Sequence, residues 1–213
     1  MGVKECFINS IEYLRKLGFF EEYSSLTSEE IFEKISEGDI LLENLDKKEE
    51  RWAKKSDFEV DRYMATSDEK RVWGIDVERP LLYPGMCVEL LNELASISRG
   101  VFIPTDVRED WPRELFEKRK EHLGEWCSSV YFTFGGKRHK IKFHFNYDFL
   151  EIGRLMEQVN SLIKDTGYQY YGIDSDSQVA LLVVLTKEEA NKLIEERGWK
   201  LLRYSARARE RIS

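Results

Sequence analysis

All four prolines of this 213-residue chain fall within one window in the middle of the sequence. They are Pro80, Pro84, Pro104 and Pro112. Because proline fixes φ and has no backbone N–H, it interrupts helices and sheet ladders, so regular structure is expected mainly outside this window. We therefore predict a mainly helical region over residues 1–100 that packs on an α+β sheet domain over residues 101–213, either as two units or as one continuous domain.

Helical spacing dominates the beginning of the chain. Apolar residues recur every three or four positions from Phe7 to Leu17, and the pattern stops at Gly18, which is typical of a helix C-terminus. Thr27 and Glu30 have the spacing of a capping box, in which each side chain bonds the other residue's backbone N–H. They predict the start of a second helix.

The rest of the first region is less uniform. Residues 21–50 hold eleven acidic and three basic side chains, a local charge of −8 that indicates either a solvated helical face or an acidic docking surface. Residues 56–84 are ambiguous and indicate one or two short strands or loops. Residues 87–97 have clear helical periodicity.

The second region begins with strands. Residues 101–107 indicate an edge strand or a bulge, because Pro104 interrupts them. Strands over residues 130–134 and 139–145 flank Gly135 and Gly136, and glycine suits the positive φ angles of a hairpin turn. On the later strand apolar and polar residues alternate, which predicts one core face and one solvated face.

Two helices and a second hairpin follow. Asp148 with Glu151, and Thr186 with Glu189, have capping-box spacing and predict helix starts. The remaining strands are predicted at residues 168–173, 179–185 and 199–204. The order is β, β-β, α, β-β, α, β, which predicts an α+β fold with an antiparallel sheet and helices packed on one face, preceded by the mainly helical N-terminal region.

Composition limits the functional classes. The formal charge is −7 and the pI is about 5.3, which argues against a general binder of duplex phosphates. No apolar run is long enough for a signal peptide or a membrane helix. The three cysteines are widely spaced, as is typical of reduced thiols. We predict a cytoplasmic protein without a cofactor, a metal or a membrane contact.

The sequence contains no recognisable catalytic or metal-binding motif. His139 and His144 are five residues apart on one predicted strand and should therefore face opposite sides, so they cannot share an ion. Cys127 with His139 or His144 is the one candidate reactive cluster, although an unpaired cysteine is more often a small buried apolar residue. We predict no catalytic, cofactor-binding or metal-ligating residue.

Two basic features leave a nucleic-acid interpretation open. Residues 200–213 carry a charge of +4, and this tail could contact a phosphate backbone or fold back on the acidic segment, although we favour a frayed terminus. A basic sheet face is the second feature, and it would join basic residues to aromatic ones. Its residues are Lys137, Arg138, Lys140 and Lys142 beside Tyr131 and Tyr170. A solvated sheet face is the simpler interpretation.

Tryptophan is abundant, with five residues, and such side chains anchor both cores and interfaces. Trp111 and Trp126 stand out because they border the charged segment from Glu109 to Glu125, where burial in a core is least obvious. We predict a partner surface at these two residues.

Three phrases of the second region resemble hypothetical bacterial proteins of unknown function. They are ISRGVFIPTDVREDW, DTGYQYY and LLVVLTKEEANKLIEERGW. The acidic, histidine-poor composition is also similar to that of small immunity proteins, which neutralise toxins by binding them. The resemblance implies an uncharacterised bacterial protein and carries over no site residue.

The function predicted from these observations is non-catalytic protein binding, of an immunity or regulatory type. The partner is another protein, and the acidic first region favours a basic one. An enzyme of unrecognised type, with a site around Cys127, His139 and His144, is the first alternative. Contact of the sheet face and the basic tail with RNA or DNA is the second, and the acidic composition disfavours it.

Overall fold

The computed structural model describes residues 2–37, 39, 42, 50–77, 83–111, 125–146, 149–175, 178–205 and 208–212. The helices are α1 (Val3–Arg15), α2 (Ser28–Ser36), α3 (Asp57–Ala65), α4 (Met86–Ser96), α5 (Ile152–Ile163) and α6 (Lys187–Arg197), with a 3₁₀ turn at Glu21–Tyr23. The strands are β1 (Val72–Asp76), β2 (Thr105–Asp110), β3 (Glu125–Phe134), β4 (Lys137–Asn146), β5 (Phe149–Leu150), β6 (Tyr168–Ile173), β7 (Val179–Thr186), β8 (Leu201–Ser205) and β9 (Ala208–Ile212).

The α+β class and the antiparallel pairing are confirmed, and the strands divide into two sheets where the sequence predicted one. The first sheet has the order β1-β7-β6-β8-β9, and the second has the order β2-β3-β4-β5. The division arises after β5, because α5 carries the chain away from the second sheet before β6 begins. β1 precedes residue 100 and pairs with β7; the predicted boundary near residue 100 stays a prediction.

The helix caps show which helix starts the local sequence predicts correctly. The capping boxes at Thr27 and Thr186 are confirmed. A third box, at Ser56, opens α3 inside the stretch that the sequence left ambiguous. The box predicted at Asp148 is wrong, because the chain first forms β5 and the N-cap of α5 is Glu151, without a side-chain cap bond. Asp148 itself lies outside the described residues, as do Pro80 and Pro112.

The first sheet is a middle layer with a hydrophobic core on each face. On one face, Val183 and Leu185 of β7 pack with helices α1, α2, α3 and α6. On the other face, Leu182 and Val184 pack with α4, α5 and the inner face of the second sheet. Because β7 is apolar on both faces, it can occupy this interior position, as its sequence predicts.

Helix α5 contacts the backbone of both sheets through two side-chain amides. Gln158 accepts from the N–H of Lys142 at 2.9 Å and donates to its carbonyl at 2.8 Å. Asn160 does the same for Tyr170, at 2.8 Å and 3.1 Å. Both backbone groups of one strand residue point to the same side, so each amide replaces a missing neighbouring strand.

The basic C-terminal tail extends the first sheet. β9 pairs along its length with β8. The predicted frayed terminus is therefore a paired strand, and its pairing places it in the first sheet and not in the second.

Candidate binding surface

The β3–β4 hairpin builds the surface with most of the chemistry that the sequence singled out. Gly135 and Gly136 have φ angles of 56° and 73°, so the two-residue turn requires the left-handed backbone that glycine tolerates. The turn fixes a register in which Phe134 lies opposite Lys137 and Glu125 opposite Asn146. Alternate residues of both strands therefore share a face.

The inner face of the hairpin belongs to the core. Ile141, Phe143 and Phe145 are buried there. His139 also lies on this side, since its ring stacks on Phe132 with the ring centroids 5.7 Å apart. Its Nε2 is 3.1 Å from the carbonyl oxygen of Phe134. His139 is thus a half-buried neighbour of the core.

Cys127 and His144 lie directly opposite each other on the outer face. The structure brings these two residues of the predicted reactive cluster together and places His139 on the other side of the sheet. Burial, with the nearby charge of Arg154, lowers the pKa of His144 below its ordinary value. The Arg154 guanidinium is 3.5 Å from Nδ1 of His144. His122, the third histidine, lies outside the described residues.

Cys87 is a second thiol near this sheet, and the sequence gave no role to its surroundings. Glu109 accepts from the backbone N–H of Gly85 at 2.5 Å and from the hydroxyl of Ser128 at 2.7 Å. Burial and the Glu109 carboxylate raise the pKa of Cys87. A carboxylate therefore stabilises the first turn of α4, beside a thiol that stays protonated at neutral pH.

The predicted partner residues Trp111 and Trp126 contact each other. Their rings are in an edge-to-face arrangement with centroids 5.6 Å apart. Trp126 also stacks on Phe145 at 4.0 Å, on the inner face. Both indoles are half-buried against the core. Most of the charged segment between them, residues 112–124, lies outside the described residues, and a partner surface here stays a prediction.

Tyr131 is the aromatic centre of the outer face. The Arg108 guanidinium lies 5.4 Å from its ring centroid, and the Lys140 ammonium lies 5.0 Å from it. Contact with Tyr131 raises the pKa of Lys140. The tyrosine is thus held between two cations, one from each neighbouring strand.

A cleft of about 340 Å³ adjoins this cluster. It is lined by Asp106, Arg108, Tyr131, Phe132, Thr133, Arg138 and His139. Asp106 has a φ of 52°, and the pairing of β2 with β3 shifts register between Thr105 and Arg108. This bulge bends the edge strand at the mouth of the cleft.

The outer face is basic around Tyr131. Arg108, Arg138, Lys140 and Lys142 provide four cations, whereas the carboxylates on or beside the face are Asp106, Asp110 and Glu125. We call these four cations with Tyr131 the outer basic face. Tyr170, which the sequence placed beside them, is buried in the core and donates its hydroxyl to the carbonyl of Leu94 at 2.6 Å.

Sequence reasoning missed two features of this surface. Arg108 was not identified, because the bulge in β2 hides its alignment with Tyr131. The pairing of Cys127 with His144 was also missed, although counting outward in both directions from the Gly135–Gly136 turn gives it directly.

Comparison with known proteins gives no relative from which to assign this surface. No family model matches the chain, and no curated protein or solved structure shows significant similarity to it. The resemblance to hypothetical bacterial proteins stays a prediction.

In the part of the chain that the structure describes, no helix has the length and hydropathy needed to cross a bilayer. In the same residues, no group of three or more His, Cys, Asp or Glu side chains could hold a metal ion.

Proposed function

We propose that this protein is a non-catalytic binding protein that docks an acidic segment of another protein on the outer basic face. The observation that carries the proposal is Tyr131, held between Arg108 and Lys140 on a sheet face where both cations are exposed. Tyrosine and arginine are the residue types that most often dominate binding energy at protein interfaces.

Charge complementarity supports an acidic partner. The chain has a net charge of −7, yet this face concentrates cations around one aromatic ring. A surface rich in Asp and Glu would be attracted to these cations and steered toward them. The sequence favoured a basic partner for the acidic stretch of residues 21–50, ten of whose thirty residues lie outside the described part of the chain. The outer basic face now supports an acidic partner instead.

A protein partner is favoured over nucleic acid for two reasons. Binding single strands without sequence preference usually combines a continuous basic groove with several aromatic side chains that stack bases. Here Tyr170 is buried in the core, which leaves Tyr131 as the aromatic centre. The carboxylates Asp106, Asp110 and Glu125 also interrupt the positive charge, and they would repel a phosphate backbone.

The test measures binding of a synthetic peptide in which Asp and Glu residues surround a phenylalanine. The purified full chain is titrated with the labelled peptide at low salt, and a single-stranded DNA oligonucleotide of equal charge is titrated in parallel. We expect the peptide to bind more tightly than the DNA. A Tyr131→Ala/Arg108→Ala variant should weaken peptide binding about tenfold or more.

Lys54→Ala is the matched control, because this lysine is exposed and lies on a different part of the chain. It should leave peptide affinity unchanged. Equal losses in the control and in the Tyr131/Arg108 variant would overturn the proposal, because attraction would then be non-specific. Tighter binding of the DNA would favour the nucleic-acid alternative, and the absence of peptide binding would exclude docking of acidic segments on this face.

A further inference from the structure

The first sheet contains an opening between two neighbouring strands. β6 and β8 pair only at Gly172–Leu202 and Ile173–Leu201. Toward the start of β6 the two strands diverge. There the side-chain amide of Asn160 on α5 forms hydrogen bonds with the N–H and the carbonyl of Tyr170, which a neighbouring strand would otherwise bind. A cleft of about 580 Å³ lies there, and we call it the β6–β8 cleft.

Basic side chains from three different elements line the β6–β8 cleft. Lys164 follows α5, Lys187 begins α6 and Arg203 belongs to β8. Glu157 is the carboxylate among the described lining residues, so the charge of the lining is +2. The ion pairs between described side chains do not include Lys164, Lys187 or Arg203.

Aromatic and amide side chains provide the rest of the lining. Tyr168, Gln169 and Tyr171 belong to β6, and Tyr168 and Tyr171 lie on opposite faces of that strand. The Arg99 guanidinium is 4.9 Å from the ring centroid of Tyr168, which fixes that ring from outside the cleft. Burial raises the pKa of Tyr171, and the nearby charge of Arg203 opposes this effect.

The size of the cleft fits a small molecule. Ligand pockets commonly have volumes of about 300–1,000 Å³, with apolar or aromatic walls and a few convergent polar groups. A compact dianion such as phosphate suits a lining in which three cations outnumber the one described carboxylate, and a planar ring suits the face of Tyr168.

We propose that the β6–β8 cleft binds a small phosphorylated molecule with a planar ring, about the size of a mononucleotide. The phosphate lies among Lys164, Lys187 and Arg203, and the ring lies against Tyr168. This site is on the first sheet, and it is independent of the protein-binding function proposed for the outer basic face.

The experiment uses AMP as the probe, with adenosine and inorganic phosphate as the two halves of the molecule. Titration calorimetry on the full chain should give a dissociation constant for AMP of about 1 mM or tighter. AMP should bind more tightly than phosphate, and adenosine should show at least tenfold weaker binding than AMP. The absence of AMP binding, or adenosine binding as tight as AMP, would overturn the proposal.

Charge reversal locates the site. Lys187→Glu and Arg203→Glu should each weaken AMP binding about tenfold or more, because each replaces an attraction to phosphate with a repulsion. Lys187 is in the first turn of α6, where glutamate is compatible with the helix dipole, so the fold should persist. Lys54→Glu is the control of equal charge change. An equal loss of affinity in Lys54→Glu would show non-specific attraction and overturn the site.

Discussion

The two sheets pair their strands in the same antiparallel way and differ in what covers them. The first sheet packs against a core on each face, with helices on one side and α4, α5 and the second sheet on the other. The second sheet packs its inner face against the core, and its outer face presents Tyr131 among cations. Antiparallel pairing is therefore common to the two sheets. Which side chains are free to bind a partner depends on what packs against each sheet face.

The difference is visible along single strands. Leu182 and Leu185 of β7 point into different cores, and both are fully buried. On β4, by contrast, Phe143 is fully buried while its neighbour Lys142 is exposed. The centre of β7 is therefore constrained at every position, whereas β4 is constrained at alternate positions.

The largest expected effect tests this contrast directly. Leu182→Ala and Leu185→Ala should each lower the free energy of unfolding by about 2–5 kcal/mol, although they lie on opposite faces of β7. In β4, Phe143→Ala should cost about 3–5 kcal/mol, and Lys142→Ala less than about 0.5 kcal/mol. Urea denaturation measures all four variants. A large loss in Lys142→Ala would show that the outer face is covered after all.

A smaller effect is expected from the two amides of α5. Asn160→Leu leaves the backbone groups of the fully buried Tyr170 without partners and should cost about 1–3 kcal/mol. Gln158→Leu removes the hydrogen-bond partner of the backbone N–H and carbonyl of Lys142. Because water can bind these groups instead, the loss in the free energy of unfolding should be below about 1 kcal/mol.

Thermal or urea unfolding of both amide variants gives the comparison. Ser161→Ala, an exposed change on the same helix, is the control and should have almost no effect. Equal costs for Asn160→Leu and Gln158→Leu would contradict the proposed difference in solvent access between the two sheets.

The smallest effect concerns pH. The pKa of His144 in the folded protein lies below its ordinary value of 6.5, so the unfolded chain binds more protons when the pH falls below about that value. Stability from this residue is therefore present at about pH 8 and decreases as the pH falls through the ordinary histidine range.

His144→Gln should reduce this decrease, as measured by urea unfolding at about pH 5 and about pH 8. Asn146→Ala, on the same face of β4, is the control, and its free energy of unfolding should depend on pH as that of the native chain does. An unchanged pH dependence in His144→Gln would show that Arg154 and burial do not disfavour the charged imidazole.

Local signals in the sequence were sufficient to predict many of the helices and strands. Thr27 and Thr186 begin helices because their caps involve residues three positions away, and the Gly135–Gly136 turn fixes its own hairpin. The same capping rule applied to Ser56 and Glu59 would have predicted α3. The division into two sheets was not accessible, because it depends on pairings such as β1 with β7 across about a hundred residues.

The candidate surface was predicted in part. Alternation along β4 placed Lys140 and Lys142 on one face, and it sent His139 and His144 to opposite faces. Tyr170 was misplaced because it was grouped with those lysines by residue type alone, and its strand belongs to the other sheet. The β6–β8 cleft had no sequence signal, since it exists only where two strands distant along the chain separate.

The amides of α5 also bear on self-association. A strand whose edge is open can recruit a strand from another molecule, and this recruitment is a route to aggregation. At Lys142 and at Tyr170, the donor and acceptor that such a strand would need are already occupied by Gln158 and Asn160. One helix thereby blocks strand addition at two stretches that lack a neighbouring strand, one on β4 and one on β6.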